Sequence, residues 1–274
     1  SYKGEVEDRI KKIINDLKQY DKAILFIDEL HTLMDSKGSV GSGISNLLKP
    51  ELARGELTII GATTQEEYRK IIEPDAAFNR RFETLTVNEP DAFTAEKMIE
   101  ALIPKYEIHH EITVSTSVIK GAVSLAKRYI KDKRLPDSAI DLLDRTLAAV
   151  KMMNETSVVE ISDIENKLKS LLSDSNCAAD KKLNELKWLH SMLINKLSPV
   201  LTGYLEHTKD VKNMDHAKLV LVELQSCIDK LKTVLQTHKV EVSLNDVAAI
   251  IAHKTGIPVG KIQTQEKDKL LTIE

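Results

Sequence analysis

Five consecutive apolar residues, Ala23-Ile24-Leu25-Phe26-Ile27, run directly into two carboxylates, Asp28-Glu29. A run this short, without polar alternation, predicts a strand covered on both faces, as in the middle of a parallel sheet. A second run, Leu57-Thr58-Ile59-Ile60-Gly61, stops at Thr63 and Thr64. Between them lies a glycine- and serine-rich loop, residues 35–43, and then a helix through Leu48. Strand, helix, strand is a layered α/β unit. In open sheets of that kind the polar residues just beyond the strand ends face bound ligands.

Helical periodicity covers most of the rest. Val6, Ile10, Ile13 and Leu17 share one face of a helix over residues 5–19. From residue 91 the pattern is helical almost to the end, with Asp91, Thr94 and Ser115 as helix-start residues. Leu183, Leu186, Leu189, Leu193 and Leu197 form one stripe. Ala217, Leu221, Leu224, Ile228, Leu231 and Leu235 form a heptad seam. Breaks at Ser198-Pro199 and Lys209–Asp215 make an antiparallel helical hairpin over 165–238 the simplest arrangement. Val240-Glu241-Val242 then reads as extended, and Ser243 caps a helix over 244–253 that ends at Gly256-Ile257-Pro258.

A net charge of −3 and the lack of a basic patch give no footprint for nucleic acid. No apolar run approaches the length of a membrane span. Cys177 and Cys227 have no CxxC partner, so the reading is a reduced, cytoplasmic protein, although the two thiols could approach across the hairpin. His109 and His110 are adjacent and cannot face one metal from a single helix or strand, which reads them as ordinary lid or surface residues.

Three features bear on chemistry. Asp28 and Glu29 suit a magnesium-holding carboxylate followed by a general base, or a solvated pair that caps the next helix. Thr64 suits either a hydroxyl that contacts a γ-phosphate or the start of a turn. Arg80-Arg81 suits either a solvated helix end or arginine fingers.

In this order the three features belong to a longer pattern. Tyr2-Lys3-Gly4-Glu5, Ile27-Asp28-Glu29-Leu30-His31-Thr32, Leu48-Lys49-Pro50 and Ala53-Arg54-Gly55-Glu56-Leu57 come first. Gly61-Ala62-Thr63-Thr64, Glu67-Tyr68-Arg69, Asp75-Ala76-Ala77 and Arg80-Arg81-Phe82 follow. Arg134-Leu135-Pro136-Asp137, Ala139-Ile140-Asp141-Leu142 and Thr255-Gly256-Ile257-Pro258-Val259 close the series. Over residues 2–165 and 241–274 the chain resembles the first ATPase module of the double-ring Clp unfoldases, the ClpB/ClpC group of AAA+ proteins.

The resemblance implies a fold of α/β plus all-α class. Residues 1–90 would be the later part of a large parallel α/β subdomain and 91–164 a small helical lid. Residues 165–239 would be an inserted helical-hairpin coiled coil, and 240–274 the end of the lid and the way to a second ATPase module. It implies ATP and Mg2+ as cofactors, with Asp28 at the metal, Glu29 as base and Thr64 as sensor. Arg80 and Arg81 would reach the nucleotide of a neighbour in a homo-hexamer, and Met98, Leu102 and Pro136 would face the adenine. Tyr2 would grip a translocating polypeptide from a pore loop, with 35–43 as a second pore loop. His31 follows the carboxylate pair as a structural residue.

The implied partners are unfolded or aggregated proteins, adaptor proteins and a ClpP-type peptidase, with no nucleic acid and no membrane. The insertion is short for the two-wing coil of the disaggregase branch and nearer the hairpin of the protease-partner branch. A DNA-associated AAA+ ATPase and a non-catalytic adaptor-binding scaffold are the alternatives. The family's GxxxxGK[ST] loop should precede Tyr2, and the 274 residues do not contain it. The expectation is therefore a piece of a larger protein that alone binds ATP weakly or not at all and does not hydrolyse it.

Overall fold

The computed structural model describes residues 2–20, 22–34, 41–54, 57–173, 178–205, 211–236 and 238–263. The chain divides into two compact units, residues 1–87 and 88–274.

The first unit begins with α1 (Tyr2–Leu17), which reaches back to Tyr2 where the sequence pattern starts a helix at residue 5. Its buried stripe is Val6, Ile10, Ile14 and Leu17, while Ile13 is exposed. The apolar face is wide enough for either isoleucine, and packing rolls the helix toward Ile14. Strand β1 (Ile24–Ile27) is followed by α2 (Leu30–Met34), α3 (Gly41–Arg54) and β2 (Thr58–Gly61). The strands pair in parallel, with Ile24 opposite Thr58 and Ile27 opposite Gly61. Ile14, Leu30, Met34, Leu48, Leu57 and Ile72 are the buried core of this unit.

The sheet differs from the sequence expectation in one respect. Ile27 and Ile59 pack toward the core, but Ile24, Phe26 and Ile60 are 59%, 61% and 53% exposed. Alternate residues of a strand point to opposite faces, and the helices of this unit cover only one of them. After β2 come α4 (Gln65–Glu67), a π-helical turn at Tyr68–Ile72, and α5 (Ala76–Asn79).

The second unit is mostly helical: α6 (Ala92–His110), β3 (Thr113–Val114), α7 (Thr116–Tyr129) and α8 (Asp137–Glu155) come first. Asp91 caps α6 as the sequence predicts, its Oδ1 accepting from the Thr94 amide at 2.7 Å. Next come α9 (Ser157–Ser173), α10 (Ala179–Lys196), α11 (Pro199–Gly203) and α12 (Ala217–Val234), spanning the stretch expected to be an insertion over 165–239. Strand β4 (Glu241–Val242) and α13 (Leu244–Thr255) complete the unit. β4 pairs in parallel with β3, which brings together residues far apart in sequence.

Where the sequence pattern gives a two-helix hairpin, three long helices are present. α10 packs against both α9 and α12. Leu186, Leu189 and Leu193 of α10 are buried with Ile161, Ile164 and Leu168 of α9 and Leu224, Cys227, Ile228 and Leu231 of α12. These residues belong to one continuous core with α6, α7, α8 and α13. Ser198 Oγ donates to the Ala149 carbonyl at 2.6 Å, tying the start of α11 to α8. Asn154, near the end of α8, forms two bonds with Lys239, giving to its carbonyl at 2.7 Å and accepting from its amide at 3.1 Å. The buried Asp246 carboxylate then holds Lys239 Nζ and both the amide and hydroxyl of Ser243. These bonds form one clasp between the end of α8 and the start of α13.

Cys227 is buried among the insertion helices, and Cys177 lies outside the described residues, as do residues 35–40 of the glycine-rich loop. No helix among the described residues is long and apolar enough to cross a membrane.

Candidate functional site

The two strand tips of the first unit sit side by side because the parallel pairing continues past the strands. The Ala62 amide donates to the Ile27 carbonyl at 2.9 Å, and the Leu30 amide donates to the Ala62 carbonyl at 2.9 Å. Asp28-Glu29 thereby lies beside Ala62-Thr63-Thr64. Gly61 leaves room at the end of β2 for the buried Leu30 side chain, whose Cδ2 a Cβ there would meet unless the leucine shifted.

Glu29 has φ of 49°, in the left-handed region that a residue with a Cβ rarely adopts. Its carbonyl accepts from the Thr32 amide and the Thr32 hydroxyl, both at 2.9 Å, which fixes this backbone. Strained backbone of this kind gathers at functional positions. The Asp28 Oδ1 accepts from the Glu29 amide at 2.9 Å, and both carboxylates are exposed. Asp28 has no cationic partner among the described residues. A carboxylate left free at a strand tip, beside hydroxyl groups, fits a hydrated magnesium ion.

His31 is a residue whose contact the sequence does not reveal. Its Nδ1 lies 3.0 Å from Thr63 Oγ1 and 3.4 Å from Glu29 Oε2, with the ring half-buried. The imidazole is thus hydrogen-bonded to the hydroxyl of one strand tip and stands close to the carboxylate of the other. Thr64 Oγ1 accepts from the Glu67 amide at 3.1 Å and so caps α4. The turn-starting role and the phosphate-contact role are compatible, because a hydroxyl that accepts at its oxygen keeps a proton to donate.

Arg80 and Arg81 follow α5 and are exposed. Their turn is held by Tyr68, whose hydroxyl donates to Asn79 Oδ1 at 2.8 Å and accepts from Thr84 Oγ1 at 3.1 Å. Tyr2 is the first residue of α1 rather than part of a loop, and its side chain lies outside the described residues.

In the second unit, Met98 and Leu102 are one turn apart on α6, Met98 exposed and Leu102 half-buried. Pro136 is the half-buried N-cap residue of α8. Glu89 braces the approach to Pro136: its carboxylate accepts from the Leu135 amide at 3.1 Å and from Arg134 at 3.2 Å. The Leu135 amide is the main reason its carboxyl titrates below the usual range. His110 is buried, with Nε2 at 2.8 Å from Asp144 Oδ1, while His109 is exposed, so the adjacent pair faces two environments. Among the described residues no cluster of three His, Cys, Asp or Glu side chains could hold a metal ion by itself.

A family model described as the ATPase family associated with various cellular activities (AAA) matches residues 1–89, and an AAA lid domain model matches residues 91–192. The chaperone protein ClpB of Oceanobacillus iheyensis is 37% identical over the whole chain, which covers 31% of that protein. The ATP-dependent Clp protease ATP-binding subunit ClpC of Staphylococcus aureus is likewise 37% identical over the whole chain and 31% of its own length. The chain thus spans about a third of the length of these curated relatives. The extended conformation of the Saccharomyces cerevisiae Hsp104:casein complex matches 72% of this chain and 36% of that one, with 35% identity and a TM-score of 0.51.

Proposed function

Because the chain belongs to the AAA ATPases, in the ClpB/ClpC group of Clp proteins, we propose that it supplies the hydrolysis and lid elements of an ATP-driven protein unfoldase. The observation that carries this reading is the pairing of the strand tips, which sets Asp28 and Glu29 beside Thr63 and Thr64. Asp28 would hold the water shell of a magnesium ion, which when bound would supply charge neutralisation for the terminal phosphates. Glu29 would take the proton of the attacking water, and the Thr64 hydroxyl would donate a hydrogen bond to a γ-phosphate oxygen. Arg80 and Arg81 act on the nucleotide of an adjacent subunit in a homo-hexamer. Met98, Leu102 and Pro136 supply the apolar contact for adenine, and Tyr2 grips the threaded polypeptide.

The substrates are unfolded proteins, a reading supported by the casein named in the complex of the Hsp104 relative. We assign the chain to the regulators of a ClpP-type peptidase rather than to the disaggregases. The support is a compact insertion, three helices of 17 or 18 residues that share the core of the second unit. A second role for the insertion, docking of an adaptor protein, is favoured by Trp188, which is 54% exposed with the Lys167 ammonium 5.8 Å from its ring centre.

The test is a chimera in which these residues replace the matched segment of the Staphylococcus aureus ClpC. The chimera is expected to turn over ATP and to feed casein to the peptidase. A chimera that assembles but disaggregates protein without supporting degradation would overturn the branch assignment. The 274 residues by themselves, which contain no GxxxxGK[ST], should show no micromolar ATP binding by calorimetry.

A further inference from the structure

A cleft of about 290 Å3 opens on the second unit between α8, α11 and α13. Its floor is apolar: Ile130, Leu142, Ala149, Ile250 and Ile251 are all buried side chains that line it. Leu142, Arg145 and Ala149 recur on one face of α8 at spacings of three and four, so the Arg145 guanidinium stands over the same floor.

The charges at the mouth differ in their engagement. Lys133 is bound to Asp141 at 2.5 Å and lies 3.4 Å from Asp137. Lys254 is bound to Asp132 at 3.2 Å. Arg145 has no hydrogen bond or ion pair among the described residues, and it is exposed. The cleft therefore combines a greasy floor with one uncommitted cation. Asp141, although paired with Lys133, adds a carboxylate at the same rim that disfavours polyanions.

We propose that this cleft binds a small aliphatic monocarboxylate, its tail on the Leu142, Ile250 and Ile251 floor and its carboxylate on Arg145. Two parallel N–H donors of a guanidinium match the two oxygens of one carboxylate. The volume matches about ten water-sized units, which limits the tail to a medium chain. A polar handle over an apolar pocket is the usual arrangement for a small-molecule site. The proposal is independent of the nucleotide site, since Met98, Leu102 and Pro136 are not among the residues that line this cleft.

Calorimetric titration of the 274-residue chain with octanoate, a ligand of about ten non-hydrogen atoms, tests it against octan-1-ol as the uncharged control. The expected result is saturable octanoate binding with Kd below about 1 mM and much weaker octanol binding. Arg145→Gln should weaken octanoate about tenfold or more and leave octanol unchanged. Ala148→Trp, at an exposed lining position, should abolish both by filling the cleft. Circular dichroism matching the parent chain shows that each variant is folded. Equal binding of octanol and octanoate, or octanoate binding unaffected by either folded variant, would overturn the proposal. So would a lack of saturation up to about 10 mM.

Discussion

His31 and Thr63 bridge the two strand tips, with the imidazole Nδ1 3.0 Å from the threonine hydroxyl and 3.4 Å from Glu29 Oε2. A base works only when it is held in the geometry of the attacking water, so with Glu29 in its proposed role this contact should act on the rate through Glu29. In the assembled chimera, His31→Ala is predicted to lower kcat about tenfold while KM for ATP changes less than about twofold. His31→Asn, which keeps a polar atom near the Nδ1 position, should recover part of the loss. Steady-state kinetics on the three proteins decide it, and an unchanged kcat in His31→Ala would make the bridge purely structural.

Gly61 sits where β2 meets the Leu30 side chain. Gly61→Val forces the buried Leu30 side chain to shift. Overpacking of this kind costs about 1–3 kcal/mol. Urea unfolding of the 274-residue chain should show a destabilised first unit, while the transition of the second unit keeps its midpoint. A variant as stable as the parent would mean that Leu30 adapts without strain.

The clasp between the end of α8 and the start of α13 depends on Asp246, whose buried carboxylate receives Lys239, the Ser243 amide and the Ser243 hydroxyl. Removing one partner from a buried ion pair costs about 3–5 kcal/mol. Asp246→Ala should therefore destabilise the second unit by an amount in that range. Asn154→Ala removes the neighbouring pair of bonds to Lys239 and should cost about 1–3 kcal/mol. Hydrogen exchange should then rise first at the β3–β4 pairing, because Thr113 bonds to Val240 next to the clasp.

Cys227 is fully buried, and desolvation pushes its thiol up to about 11. A thiol whose pKa is raised on folding adds stability that is complete below the unfolded value. That contribution fades as pH climbs from about 8.5 through the folded value. Reaction with iodoacetamide at pH 8 should be negligible at Cys227 in the folded chain and should appear on unfolding. Fast alkylation under native conditions, located by mass spectrometry, would contradict the packing of α12.

Where the local chemistry decides, the sequence and the structure coincide. The two strands as elements, the Asp91 cap and the Ser243 start of α13 are each set by a few adjacent residues. Thr64 was legible as well, since Thr64 followed by Glu67 is a helix-start pattern and the hydroxyl does cap α4. The third insertion helix had a signal in Ile161, Ile164 and Leu168, whose spacing continues past the end of α8. The exposed face of β1 had none. Whether Ile24 and Phe26 are covered depends on what packs against the sheet, which an apolar run does not encode. The His31 contacts with Thr63 and Glu29 likewise arise from the pairing of strands that are separated by two helices.

The account's central claim is that Glu29 is the base for ATP hydrolysis, and Glu29→Gln in the ClpC chimera tests it most directly. The predicted result is a loss of ATP turnover of about a hundredfold or more with ATP binding preserved, because only the proton-accepting step is removed. A Glu29→Gln chimera that binds ATP and hydrolyses it at the parent rate would contradict the claim.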